Sequence, residues 1–112
     1  MIASNRTARN TLRQRSATTR AAAKIRREGA ATLATHAIAA GLGVKEARSV
    51  AGSLRKNAAK AGVTGQAGVS YRRGAARTCT RYTVREVAAI AALYRPRKPA
   101  FKVAATKLAL AA

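Results

Sequence analysis

Between Val44 and Ala61 the chain sets Val44, Ala47, Val50, Leu54, Ala58 and Ala61 three or four residues apart, with Ala51 next to Val50. At about 100° per residue that spacing gathers all seven on one stripe of a helix. The opposite side carries Lys45, Ser49, Gly52, Lys56 and Lys60, with Arg48 and Ser53 at its borders. Upstream, residues 30–40 repeat the pattern on a shorter scale, with Leu33, Ala34, Ala37 and Ile38 on one face. Gly41-Leu42-Gly43 separates the two helices, and two glycines around one apolar residue predict a tight turn with a buried plug. Before that, Ala21, Ala22 and Ile25 share one side of a helix that starts near Ala17 and ends at Gly29.

Beyond Gly62 the period changes. Residues 62–68 read as a loop, followed by two strands over 69–73 and 77–83 joined through Arg73-Gly74-Ala75-Ala76. Val69, Tyr71 and Tyr82 would pack on one side while Arg77 and Arg81 face the other. Residues 84–94 are apolar almost all round, which predicts a buried helix, in the core or in a homodimer interface. Arg95-Pro96-Arg97-Lys98-Pro99 stops it, and Phe101, Ala105 and Leu108 suit one face of a short C-terminal helix. Residues 1–16 have only Ile2 and Leu12 as large apolar side chains, spaced so that they form no helical face. They read as a flexible basic arm. The organisation is therefore an arm at 1–16, a helical domain with a small β-hairpin at 17–95, and a Pro-containing linker with a short helix at 96–112.

Composition makes this core thin. Of 112 residues, 48% are hydrophobic, but 30 of those 54 are Ala and only 19 positions hold Leu, Ile, Val or Phe. That content meets the usual flag for disorder. Alanine offsets it as the strongest helix former and by letting helices approach closely. The expectation is an Ala-rich helical core completed by a partner. Charge says which partner: 23 Lys+Arg against 3 Asp+Glu give a net charge of +20, a polyanion-binding balance.

The same counts exclude several chemistries. There is no Asp, and Glu28, Glu46 and Glu86 are far apart in sequence, so carboxylate pairs for acid/base work or hard-cation cages have no ligands. One His (His36) and one Cys (Cys79) build no zinc site, and a lone Cys forms no internal disulfide. His36 reads as a packed or hydrogen-bonded helix residue. No enzyme activity and no cofactor are expected. No apolar run reaches the length of a membrane span. Residues 1–27, rich in Arg and Ser/Thr and free of acid, also have the composition of an organelle transit peptide, although a cytoplasmic, nucleoid-associated setting suits the whole chain better.

A helix can enter the DNA major groove when its outward face lacks bulk and carries donors. Lys45, Ser49 and Lys56 supply donors, and Gly52, which costs a helix about 1 kcal/mol relative to Ala, leaves room at the centre of that face. Arg48, Ser53 and Lys60 flank it and suit phosphates. Arg72, Arg73, Arg77 and Arg81 crowd one hairpin, where like charges repel unless a polyanion is present. Arg6, Arg9, Arg13 and Arg15 would track a phosphate backbone or minor groove. The order helix, helix, Gly turn, helix, basic hairpin, helix resembles a winged helix-turn-helix DNA-binding domain. That resemblance rests on Ala37, Gly41, Leu42, Ala47 and Val50 and spans residues 17–95. It implies a non-enzymatic double-stranded-DNA-binding protein, a small transcriptional regulator or accessory factor of bacterial, phage or plasmid origin. Two other readings stay open: an RNA-binding, ribosome-associated structural protein, and an effector docking on an acidic protein partner.

Overall fold

The computed structural model describes residues 2–111. Its elements are α1 (Ile2–Glu28), β1 (Ala30–Ala31), α2 (Leu33–Ala39), α3 (Val44–Ala61), β2 (Gln66–Arg72), β3 (Ala75–Thr83), α4 (Val84–Leu93) and α5 (Pro99–Leu110). The protein is thus mainly helical with a three-stranded antiparallel sheet in the order β1-β3-β2.

Helix α1 runs unbroken from Ile2, so residues 2–16 are helical and not a flexible arm. The apolar pattern missed this because it is not what forms the helix there. The segment has neither Gly nor Pro, and a helix already nucleated by a packed half extends at one hydrogen bond per added residue. Residues 5–13 are all exposed. Contact with the body begins at Gln14, whose Nε2 donates to the Leu42 carbonyl at 2.8 Å, and continues at Thr18, whose hydroxyl donates to the Ile38 carbonyl at 3.1 Å. One turn further Ala21 and Ile25 are buried, and Gly29 ends the helix as expected.

The helix expected over 30–40 starts only at Leu33. Ala30 and Ala31 instead pair with Thr83 and Tyr82 of β3. Thr32 explains the boundary: its backbone is extended and its hydroxyl accepts from the Thr35 amide at 3.4 Å, an N-cap. At the other end Gly41 has φ +105°, and the Gly41 and Leu42 amides donate to the Ile38 and Ala37 carbonyls. This is a Schellman-type close that needs a left-handed residue and swings Leu42 into the core, where it is 5% exposed.

In α3 the stripe Ala47, Val50, Ala51, Leu54 and Ala58 is buried, and Ala61 packs at its edge. Val44, the first residue of α3, departs from it and is 53% exposed. Strands β2 and β3 are longer than expected, reaching back to Gln66 and Ala75, and a two-residue turn at Arg73-Gly74 joins them. Both turn residues have positive φ (53° and 77°), the conformation of a tight hairpin turn whose twist matches its strands. The hairpin packs only at its base. Tyr82 is buried, but Val69 and Tyr71 are 46% and 77% exposed, so they do not join the core.

Helix α4 opens with a capping box: Glu86 N–H donates to the Thr83 hydroxyl at 3.2 Å and Thr83 N–H donates to Glu86 Oε1 at 3.0 Å. Its buried face, Val87, Ile90 and Ala91, packs against α3 and α5 of the same chain. Ala89, Ala92 and Leu93, on the rest of α4, are exposed, so the helix is not buried all round. Residues 99–110 are likewise no appendage to a domain ending at 95, because Phe101, Ala104, Ala105 and Leu108 belong to the main core cluster. Leu33, Val50, Leu54, Val87 and Ile90 are its largest fully buried side chains, each contributing about 1.5–3 kcal/mol of burial.

Candidate nucleic-acid interface

Burying one stripe of α3 fixes which side it presents. Lys45, Arg48, Ser49, Lys56 and Lys60 are exposed; Gly52 and Ser53 are half-buried at the same surface. A Cβ built on Gly52 meets nothing within 4 Å. No neighbour inside the molecule therefore requires a glycine there, although it weakens the helix. Ser53 sits lower on the flank, its carbonyl accepting from Asn57 Nδ2 at 3.2 Å. Two cations on this side escaped the sequence reading. Arg55, exposed two turns on from Arg48, borders a hollow of about 280 Å³ between α3 and the sheet, together with Thr32, Thr78 and Thr80. Arg95, beyond α4, shares another hollow with Ser53, Lys56 and Lys60. The spacing Arg48-to-Arg55, seven residues, was the available signal for the first; nothing local in sequence marks the second.

The hairpin separates its expected basic residues. Arg73 stands in the turn and Arg77 on β3 near it, both exposed. The Arg72 backbone ends β2, and its side chain lies outside the described residues. Arg81 is not with them. It lies at the base opposite Gln66, where Nη2 donates to the Val69 carbonyl at 3.2 Å and Nη1 lies 3.8 Å from Glu28 Oε2. Its guanidinium thus lies between the hairpin base and the end of α1, apart from the cations of the turn, in a partly exposed pair that contributes little in water. On α1, Arg6, Arg9 and Arg13 border one shallow hollow with Asn5 and Asn10, while Arg15 projects from a different side of the helix.

Two of the three acids face partners within the protein. Glu28 faces Arg81 and Glu86 is engaged in the capping box, so Glu46, in the first turn of α3, is the carboxylate left free of such a role. The outward surfaces of α1, α3 and the hairpin are therefore close to purely cationic, an arrangement that concentrates anions and steers them to the surface.

The remaining candidates are structural. His36 is 2% exposed, and its Nε2 donates to the Tyr82 carbonyl at 2.7 Å, tying α2 to β3. Burial lowers its pKa below the ordinary imidazole value, partly offset by that hydrogen bond, and keeps the ring neutral. Cys79 is half-buried opposite Gly68 in the hairpin. Among the described residues no group of three His, Cys, Asp or Glu could hold a metal ion, and no helix is long and apolar enough to cross a membrane. No family model, curated protein or solved structure matches the chain.

Proposed function

We propose that the protein binds double-stranded DNA without catalysing a reaction, as a small regulator or accessory factor built on a winged helix-turn-helix plan. The observation that carries the reading is the outward face of α3: donors at Lys45, Ser49 and Lys56 around an open Gly52, edged by Arg48 and Lys60. That face enters the major groove, where donors read base edges. Arg73 and Arg77 on the hairpin and the basic N-terminal half of α1 bind phosphates beside it. The plan itself is supported by the element order, with α2, the Gly41–Gly43 turn and α3 followed by the β2–β3 hairpin and α4. The RNA reading gains nothing comparable. It shares the same basicity, and the extended arm that would also favour it is a helix over residues 2–16.

Selection of bound sequences from a random duplex pool tests this. A preferred sequence is expected. Ala at Lys45, Ser49 and Lys56 should erase the preference, whereas Arg73→Ala and Arg77→Ala should weaken all sequences alike. Displacement of duplex by structured RNA at equal salt, or a pool without any preference, contradicts the proposal.

A further inference from the structure

Residues 6, 13, 20 and 27 are all arginine, each seven positions from the next, and Arg9 and Lys24 fall between them. All six are exposed on α1. Seven residues return an α-helix to within about 20° of its starting direction, and three or four residues to within about 60°. The six side chains therefore form one straight ridge, about 32 Å long at 1.5 Å per residue. It lies to the side of the stripe that docks on the body, Gln14, Thr18, Ala21 and Ile25. The acid at the end of α1, Glu28, is turned to Arg81 and does not neutralise the ridge. Arg15 and Arg26 lie on the helix's other flank, so the alignment is not a product of uniformly high arginine content.

The ridge is not evenly filled. Arg6, Arg9 and Arg13 make one triad and Arg20, Lys24 and Arg27 make another, with spacings of three then four in the first and four then three in the second. Between Arg13 and Arg20 the helix advances about 10 Å and presents only Ser16 and Ala17 on this side. The B-DNA major groove is about 12 Å wide. We infer that α1 lies across a groove of a DNA duplex as a rigid strut, with one cationic triad on each flanking phosphate backbone and its small residues over the opening. The inference rests on the DNA-binding reading above and deepens it, extending the contact from the N-terminal half of α1 to the whole helix. Helix α2 and the Gly41–Gly43 turn lie between α1 and α3, so the ridge seats on backbone apart from that under α3.

Three variants, all at exposed positions, separate the strut from diffuse charge. Their affinities for one 30-base-pair duplex are measured between 50 and 200 mM salt. Arg13→Gln with Arg20→Gln should lower the slope of log affinity against log salt by about 1.8, two contacts at about 0.9 each. Arg26→Gln with Lys102→Gln removes the same charge at exposed positions off the ridge and should leave the slope within error of the unaltered protein. Ser16→Arg with Arg20→Ser keeps the total charge but fills the gap and empties one seat. It should still lose about 0.9 of slope and bind several-fold more weakly. Equal effects of the two double Gln variants, or normal binding by the relocated arginine, overturn the strut while leaving DNA binding intact. Absence of salt-dependent duplex binding by the unaltered protein overturns both.

Discussion

Gly52 offers a perturbation in which stability and binding move in opposite directions. It lies inside α3, where Gly costs about 1 kcal/mol relative to Ala, and a Cβ added there meets nothing within 4 Å. Gly52→Ala should therefore stabilise the free protein by about 1 kcal/mol, raising Tm by roughly 4 °C for a chain of this size. Gly52→Leu should stabilise by a similar amount, because Leu is nearly as good a helix former and its side chain enters open space. Binding should respond to size alone. If this face enters a groove, Gly52→Ala changes duplex affinity little. Gly52→Leu forces bulk between helix and base edges and costs about 1.4 kcal/mol, a tenfold loss. Thermal melts and duplex titrations on the same preparations measure both. Tighter or unchanged binding by the Leu variant would show that α3 does not approach DNA through Gly52. A fall in Tm for the Ala variant would show that the open space above the glycine is wrong.

Other consequences follow from the core and its joints. His36 is held neutral by burial, so the unfolded chain takes up the proton first as pH falls below about 6.5. Unfolding free energy from urea melts should therefore decline on going from pH 7.5 to 5.5, and His36→Gln should flatten that dependence. Gly65→Ala should destabilise more than any other Gly→Ala change, since φ is +70° and the new Cβ would lie 2.6 Å from Thr80 Cγ2 and 2.9 Å from the Arg81 carbonyl oxygen. A Tm within error of the parent would count against that packing. Leu54→Ala, at a fully buried position in α3, should cost about 2–5 kcal/mol by denaturant unfolding.

What the sequence made legible was the part governed by periodicity. The α3 stripe from Ala47 to Ala58, the Leu42 plug between two glycines and the Phe101, Ala105 and Leu108 face all rest on apolar spacing, and all are buried. Where something other than burial decides, periodicity was silent. Residues 2–16 are helical through propensity and continuity with a docked helix, neither of which leaves an apolar stripe. Ala30 and Ala31 read as helix by composition, and become a strand because β3 passes beside them and Thr32 caps the next helix. The capping box at Thr83-Val-Arg-Glu86, which the apolar spacing does not mark, fixes where β3 stops and α4 starts. Tyr71 alternates like a packed strand residue, but β2 has no layer beneath its distal half. For the interface, the α3 side was legible because it is the complement of the buried stripe. The pairing of Arg81 with Glu28 was not, because it joins residues 53 positions apart.

The central claim is that these cationic surfaces hold duplex DNA, and the affinity of the unaltered protein for a duplex across a salt series tests it most directly. Contact with about 6–10 phosphates predicts a linear fall of log affinity with log salt, amounting to a loss of roughly 10³–10⁵ between 50 and 200 mM. An affinity that stays flat over that range would contradict the account.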